Sequence, residues 1–196
     1  RMLRARFPVD IHAWEATCDI QFGTIKRPTH TNTSWDMAKY EVAAHKFVDL
    51  SERDYGVALL NDCKYGYHVE QNVLDLNLLR SPGSPDPVAD RAVHHFTYAL
   101  YPHAGDHVEG RVAQAAYELN VPLHITATDA HAGVLPATAS TMRVDTPNVI
   151  IEAVKRAEDG SGAVIRLYEN SGARVTAHVE FGREASAVEL TNLLEE

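Results

Sequence analysis

The chain has 196 residues, 45% hydrophobic and 23% charged, which is enough for one medium domain or a large one with a smaller companion, and ample for a real core. Its formal net charge of -9, from 18 Lys and Arg against 27 Asp and Glu, argues against a nucleic-acid duplex or an anionic membrane as the main partner and favours a neutral or cationic ligand. Cys18 and Cys63 are too few for a disulfide scaffold and too far apart for a zinc knuckle or a C-x-x-C redox site, so a cytoplasmic origin is expected.

The opening Arg1-Met2-Leu3-Arg4-Ala5-Arg6 lacks the apolar core of a signal peptide, no window reaches membrane-span length, and the start at Arg1 suggests an excised piece. Trp14 to Phe22 alternates Thr17, Asp19 and Gln21 against Cys18, Ile20 and Phe22, the period of a half-buried strand. Residues 27–34 are rich in turn formers and read as a polar loop, with Asn32-Thr33-Ser34 a formal glycosylation sequon. A strand is predicted over 41–50.

Next comes Tyr55-Gly56-Val57-Ala58-Leu59-Leu60-Asn61-Asp62-Cys63-Lys64-Tyr65-Gly66. Its continuous apolar run predicts a strand covered on both faces. The strand feeds a cluster in which Asn61, Asp62, Lys64 and Tyr65 offer an amide, a carboxylate, an ammonium and a phenol within five residues. Such a set suits a polyhydroxyl ligand, because sugar hydroxyls both donate and accept hydrogen bonds. The same residues also make ordinary turns, and Gly66 can take backbone angles that others avoid.

Residues 73–79 alternate again and are expected to pair with 57–61. Three prolines in 81–87 exclude a ladder there, and 96–101 returns to strand. Val108, Val112, Ala115, Ala116 and Leu119 recur at helical spacing, predicting one short helix over 107–119. Composition thins to Ala, Thr and Gly over 126–141, a boundary that divides the chain into 1–130 and 131–196. Beyond it, 149–154, 163–168 and 174–179 are expected to form two hairpins in series around turns at 158–162 and 170–172. Strands about every ten residues predict an all-β fold, a β-sandwich followed by a smaller one.

The metal and nucleophile signals are weak. Among eleven histidines, His94, His95, His103, His107, His124 and His131 with Asp129 are candidate ligands, but adjacent His94 and His95 would point to opposite faces of a strand and there is no H-E-x-x-H. There is no G-x-S-x-G, Walker loop or G-x-G-x-x-G. The carboxylate pairs Asp86 with Asp90 and Glu158 with Asp159 sit in Pro- or Gly-rich turns, where a solvated carboxylate keeps an ordinary pKa. Trp14, Trp35, Tyr65 and Tyr67 suit either sugar stacking or core packing.

Several runs together resemble one family. They are Asn32-Thr33-Ser34-Trp35-Asp36, His45-Lys46-Phe47-Val48-Asp49-Leu50-Ser51, the stretch from Tyr55 to Gly66, Leu78-Leu79-Arg80-Ser81-Pro82 and Phe96-Thr97-Tyr98-Ala99-Leu100-Tyr101-Pro102-His103. The resemblance runs on through Pro147-Asn148-Val149-Ile150 and Arg166-Leu167-Tyr168-Glu169. Together they resemble the C-terminal β region of the glycoside hydrolase family 38 α-mannosidases, in the branch with cytosolic and vacuolar enzymes.

The resemblance implies a large sandwich resembling galactose mutarotase folds, then a smaller one. It implies a retaining hydrolase of terminal α-D-mannosides whose nucleophile, acid/base carboxyl and zinc belong to an N-terminal catalytic barrel outside these residues. No catalytic residue or metal ligand is therefore expected in this chain, and the chain alone is expected to be inactive. Loops of the large sandwich wall the family's active site, so Asn61, Asp62, Lys64, Tyr65 and Gly66 are the expected substrate rim. The implied partners are the barrel of the same polypeptide and α-mannosides, and a homo-oligomer stays open. A free-standing carbohydrate-binding sandwich is the alternative, and a purely structural domain the third.

Overall fold

In the computed structural model, which describes residues 2–134 and 136–196, the polypeptide forms two units, Arg1–Pro122 and Leu123–Glu196. Arg1, which opens the basic run, and Leu135, within the thin stretch, lie outside the described residues. In the first unit β1 (Leu3–Pro8), β2 (Glu15–Ile20), β3 (Gly23–Pro28), α1 (Ser34–Ala38), β4 (Val42–Ala43), β5 (Phe47–Ser51), β6 (Tyr55–Asn61), β7 (Gly66–Glu70), β8 (Val73–Leu79), β9 (Tyr98–Ala104) and α2 (Val112–Asn120) follow in order. They build two antiparallel sheets, β1-β8-β7-β4 and β3-β2-β5-β6-β9.

Side-chain alternation explains the packing. Cys18, Val48, Leu50, Val57 and Leu59 from the five-stranded sheet meet Ala5, Tyr67, Leu74, Leu76 and Leu78 from the four-stranded one in a single core, the period-two arrangement of a sandwich. Thr17, Asp19, Phe47, Asp49, Ala58 and Leu60 occupy the intervening positions, yet they too are buried. Helix α2 packs on the outer side of β5 and β6 and buries Val112, Ala113 and Ala116. The β5–β6 centre of the five-stranded sheet is thus covered on both faces, which is why residues 57–60 are apolar without alternation.

Beneath this cover lies a polar network. His103 Nε2 is 2.8 Å from Asp49 Oδ1, with side chains 2% and 1% exposed, and the Ser51 hydroxyl donates to the other oxygen of the same carboxylate. Two glycines make room for the imidazole. A Cβ on Gly56 would fall 2.3 Å from the His103 ring, and one on Gly110 would fall 2.2 Å from it.

The structure departs from the sequence reading at defined places. Residues 57–61 and 73–79 do not pair; β6 lies between β5 and β9, and β8 between β1 and β7, because the hairpin strand β7 intervenes and carries β8 into the opposite sheet. The strand expected over 41–50 is two strands in different sheets, β4 and β5, broken where Ala44 and His45 bond to Tyr65 and Asp19. The polar loop at 27–34 ends in a helical turn capped reciprocally by Thr33 and Asp36. Helix α2 begins at Val112 rather than at 107, since the Asp106 carboxylate accepts from Val108 N and Glu109 N and holds a turn there. His94 and His95 lie on no strand, so opposite strand faces do not separate them.

In the second unit β10 (Met142–Val144) pairs with β13 (Val179–Phe181), and β11 (Val149–Arg156) with β12 (Ala163–Glu169). Only the first of the two expected hairpins forms. The Glu169 carboxylate accepts from Ser171 N, Gly172 N and Ala173 N, which turns the chain away after β12. Asp145 then clasps His178 through both its backbone N and its ring, at 2.9 and 2.8 Å, and seats β13 beside β10.

Among the described residues the chain is all-β apart from two short helices. Leu123 and Ile125 are each 90% exposed in a stretch without regular structure. Thermolysin, which cleaves before large aliphatic residues, is expected to cut there first and release the first unit intact, whereas first cuts within β6 or β9 would contradict the boundary.

Candidate functional site

The end of β6 is fastened at every polar atom of Asn61. This residue is 1% exposed. Its amide nitrogen donates to His45 O at 2.7 Å and also bonds the Tyr67 hydroxyl, while its Oδ1 accepts from Cys63 N at 3.0 Å and from Lys64 N. Asn120 at the end of α2 donates to the Asn61 carbonyl at 3.0 Å. Asn61 therefore acts from beneath, folding residues 62–64 into an Asx-type turn. Burial pushes the bonded Tyr67 phenol far above its ordinary pKa, and its bond with Asn61 opposes this only in part.

The turn presents the other four residues outward to different degrees. Asp62 N bonds Thr97 O at 3.1 Å, and Asp62 Oδ1 is buried without a partner. Burial raises the Asp62 pKa, but bonds from the Cys63 thiol and from Thr97 outweigh it, so the carboxyl titrates below its usual range. Lys64 Nζ lies 5.0 Å from the centroid of the Phe96 ring, a cation–π arrangement. Tyr65 is 58% exposed and meets His45 edge-on at 5.3 Å. Gly66 keeps φ outside the left-handed region; a Cβ there would lie 3.0 Å from Asn77 Nδ2. Close approach to the Asn77 side chain, rather than an unusual backbone angle, is what favours glycine at this position.

Lys64 and Gly66 open onto a cleft of about 660 Å³ that is also lined by Glu41, Asn77, Arg80 and His94. Sequence reasoning missed Glu41, Asn77 and Arg80, which come from β8 and from the segments beside β4 and β8. Glu41 bonds Arg4 and lies 3.8 Å from Arg80, and Arg4 reaches Asp75 at 3.3 Å. Asn77 is 8% exposed and its Oδ1 has no partner. The only available hint was that Asp75 and Asn77 interrupt an otherwise leucine-rich alternation, which marks the outer face of β8 as polar.

The candidate metal ligands do not converge. His103 spends Nε2 on Asp49, His94 bonds the Asp90 carbonyl and His131 the Asp129 carbonyl. Among the described residues no three His, Cys, Asp or Glu side chains are placed to hold a metal ion, so these residues do not fit a zinc site.

Comparison with known proteins follows the same geometry. Residues 1–88 match the description "Glycosyl hydrolases family 38 C-terminal domain", and residues 148–196 match "Glycosyl hydrolases family 38 C-terminal beta sandwich domain". The chain is 46% identical over its whole length to mouse "Alpha-mannosidase 2C1", of which it covers 19%. It is 44% identical over 90% of its length to "Alpha-mannosidase G" of Dictyostelium discoideum, covering 16% of it, and 37% identical over its whole length to "Alpha-mannosidase" of Saccharomyces cerevisiae, covering 19%. It thus spans about a fifth of the length of these relatives. A glycosyl hydrolase family 38 protein from Enterococcus faecalis shares the fold, with a TM-score of 0.81 at 21% identity over all of this chain and 24% of that one.

Proposed function

We propose, from the premise that this chain belongs to the C-terminal β region of the family 38 glycoside hydrolases, that it is the C-terminal part of a retaining α-mannosidase and supplies part of the rim of the sugar site. The reading rests on one observation above the others. The loop anchored by Asn61 turns Lys64 and Gly66 into an open polar cleft, and its donors and acceptors suit a ligand made of hydroxyls.

In this reading the chain performs no bond chemistry. Retaining glycoside hydrolysis needs two carboxyl groups about 5–5.5 Å apart flanking the scissile bond, and these, with the zinc that polarises sugar hydroxyls, belong to a catalytic barrel of the same polypeptide working in the cytoplasm. This chain's residues orient sugar. Asp62 and Lys64 hold a hydroxyl network at the edge of the site, Tyr65 offers an aromatic face, and Asn61 keeps the loop in place.

The test uses the longer enzyme that contains this chain. Asp62→Ala and Lys64→Ala are each expected to lower kcat/KM on an α-mannoside by roughly ten- to a hundredfold, the worth of a charge-assisted hydrogen bond of about 1.5–3 kcal/mol, with the melting temperature unchanged. A lowered melting temperature with kcat/KM intact per folded molecule would remove the loop from the site. The free-standing carbohydrate-binding alternative predicts instead that the isolated chain binds mannosides and that neither substitution alters turnover.

A further inference from the structure

One residue lining the cleft carries a buried acceptor that no group of the chain satisfies. Asn77 sits on β8 with 8% of its surface exposed, lines the cleft beside Lys64, Gly66 and Arg80, and leaves Oδ1 buried without a hydrogen bond. A buried acceptor in this condition is costly to the fold, so a donor that reaches it is rewarded. Gly66 on the neighbouring strand leaves room for the Asn77 side chain itself, since a Cβ there would lie 3.0 Å from Asn77 Nδ2.

The charges beside it are balanced. Lys64 and Arg80 line the cleft together with Glu41 and Asp90, and Glu41 is already shared between Arg4 and Arg80. An anion would meet Glu41 and Asp90, and a cation would meet Lys64 and Arg80. A neutral polyol meets neither penalty. Once the Asn77 side chain turns to bring Oδ1, buried in this structure, to the cleft surface, one hydroxyl can donate to it while a neighbouring oxygen accepts from Lys64 Nζ or the Arg80 guanidinium, the pairing that a vicinal diol makes.

We propose that Asn77 is a specificity residue of the sugar site, accepting a hydrogen bond from one saccharide hydroxyl, with Lys64 and Arg80 donating to the adjacent oxygen. This rests on the reading of the loop as sugar rim and extends it to the outer face of β8, which the sequence marked only as polar. Asn77→Asp keeps an acceptor at the same place, and Asn77→Ala removes it.

The experiment measures inhibition of the longer α-mannosidase by methyl α-D-mannoside and its 2-, 3-, 4- and 6-deoxy analogues. In the unaltered enzyme, one deoxy analogue is expected to bind more weakly than the parent by about three- to tenfold, the worth of one neutral hydrogen bond. Asn77→Ala should abolish that particular difference and leave the other three, while Asn77→Asp should preserve it. The melting temperature of Asn77→Ala should stay level or rise, since an unpaired buried group is removed.

Identical deoxy penalties in Asn77→Ala and the unaltered enzyme would overturn the proposal and show that the acceptor faces only water. If that result came while Asp62→Ala and Lys64→Ala still lowered kcat/KM, the rim would stand and the Asn77 contact alone would fall. If Asp62→Ala and Lys64→Ala were silent as well, both would fall.

Discussion

Replacing Asp49 by alanine is expected to lower the melting temperature of the first unit by roughly 10 °C or more, because breaking a buried ion pair by removing one partner costs about 3–5 kcal/mol. The carboxylate is 1% exposed as a side chain and serves two groups, the His103 imidazole and the Ser51 hydroxyl. Alanine strands the His103 imidazole, whose side chain is 2% exposed, and removes the acceptor of the Ser51 hydroxyl. Asp49→Asn keeps the shape and one hydrogen bond and should cost less. Thermal denaturation followed by circular dichroism distinguishes these outcomes, and equal melting temperatures for Asp49→Ala and the unaltered chain would show that the network adds nothing to the fold.

The same network sets a pH dependence of definite sign. Burial alone would lower the His103 pKa, but the hydrogen bond and charge of Asp49 outweigh it and the imidazole titrates above its usual value. Its stabilising contribution is complete below about pH 6.5, the unfolded value, and declines as pH rises through the folded pKa. His107 behaves oppositely. Burial and then the Lys26 charge lower its pKa, so its contribution is complete above about pH 6.5 and declines as pH falls through the folded pKa. Melting temperature is therefore expected to peak near that value, and Asp49→Asn should flatten the decline on the alkaline side.

Asn61→Ala is the second substitution with a large expected effect, and it joins stability to function. It removes both ends of an amide that binds His45 O, the Tyr67 hydroxyl, Cys63 N and Lys64 N. Leaving the buried Tyr67 hydroxyl without this partner costs about 1–3 kcal/mol before relaxation, and the partly buried bonds to His45 O, Cys63 N and Lys64 N are lost as well, so a loss of roughly 3 kcal/mol is expected. In the longer enzyme kcat/KM should fall as well, because the turn that holds Lys64 at the cleft is no longer pinned. Asn61→Asp retains the acceptor for Cys63 N and Lys64 N but sets a carboxylate against the His45 carbonyl, and an intermediate loss follows. An unchanged melting temperature with reduced activity would place the Asn61 side chain in contact with sugar instead.

What the sequence determined by itself was local or repetitive. The alternation at 15–20 and 73–79, the apolar run at 57–60 and the turn at 158–162 each lie within a few consecutive residues, where strand period and turn chemistry act directly. Long runs such as the stretch from Tyr55 to Gly66 also made the family resemblance legible. Only the tertiary structure decided which sheet each strand joined, because β6 and β8 look alike as isolated strands and the short β7, with few large apolar residues, sends β8 across the core. It also turned Asn61 inward. The pairing of Asp49 with His103 spans 54 positions, and the meeting of Lys64 with Glu41, Asn77 and Arg80 depends on the register of four strands. Such contacts follow from how the two sheets close on each other, and no local pattern carries that information.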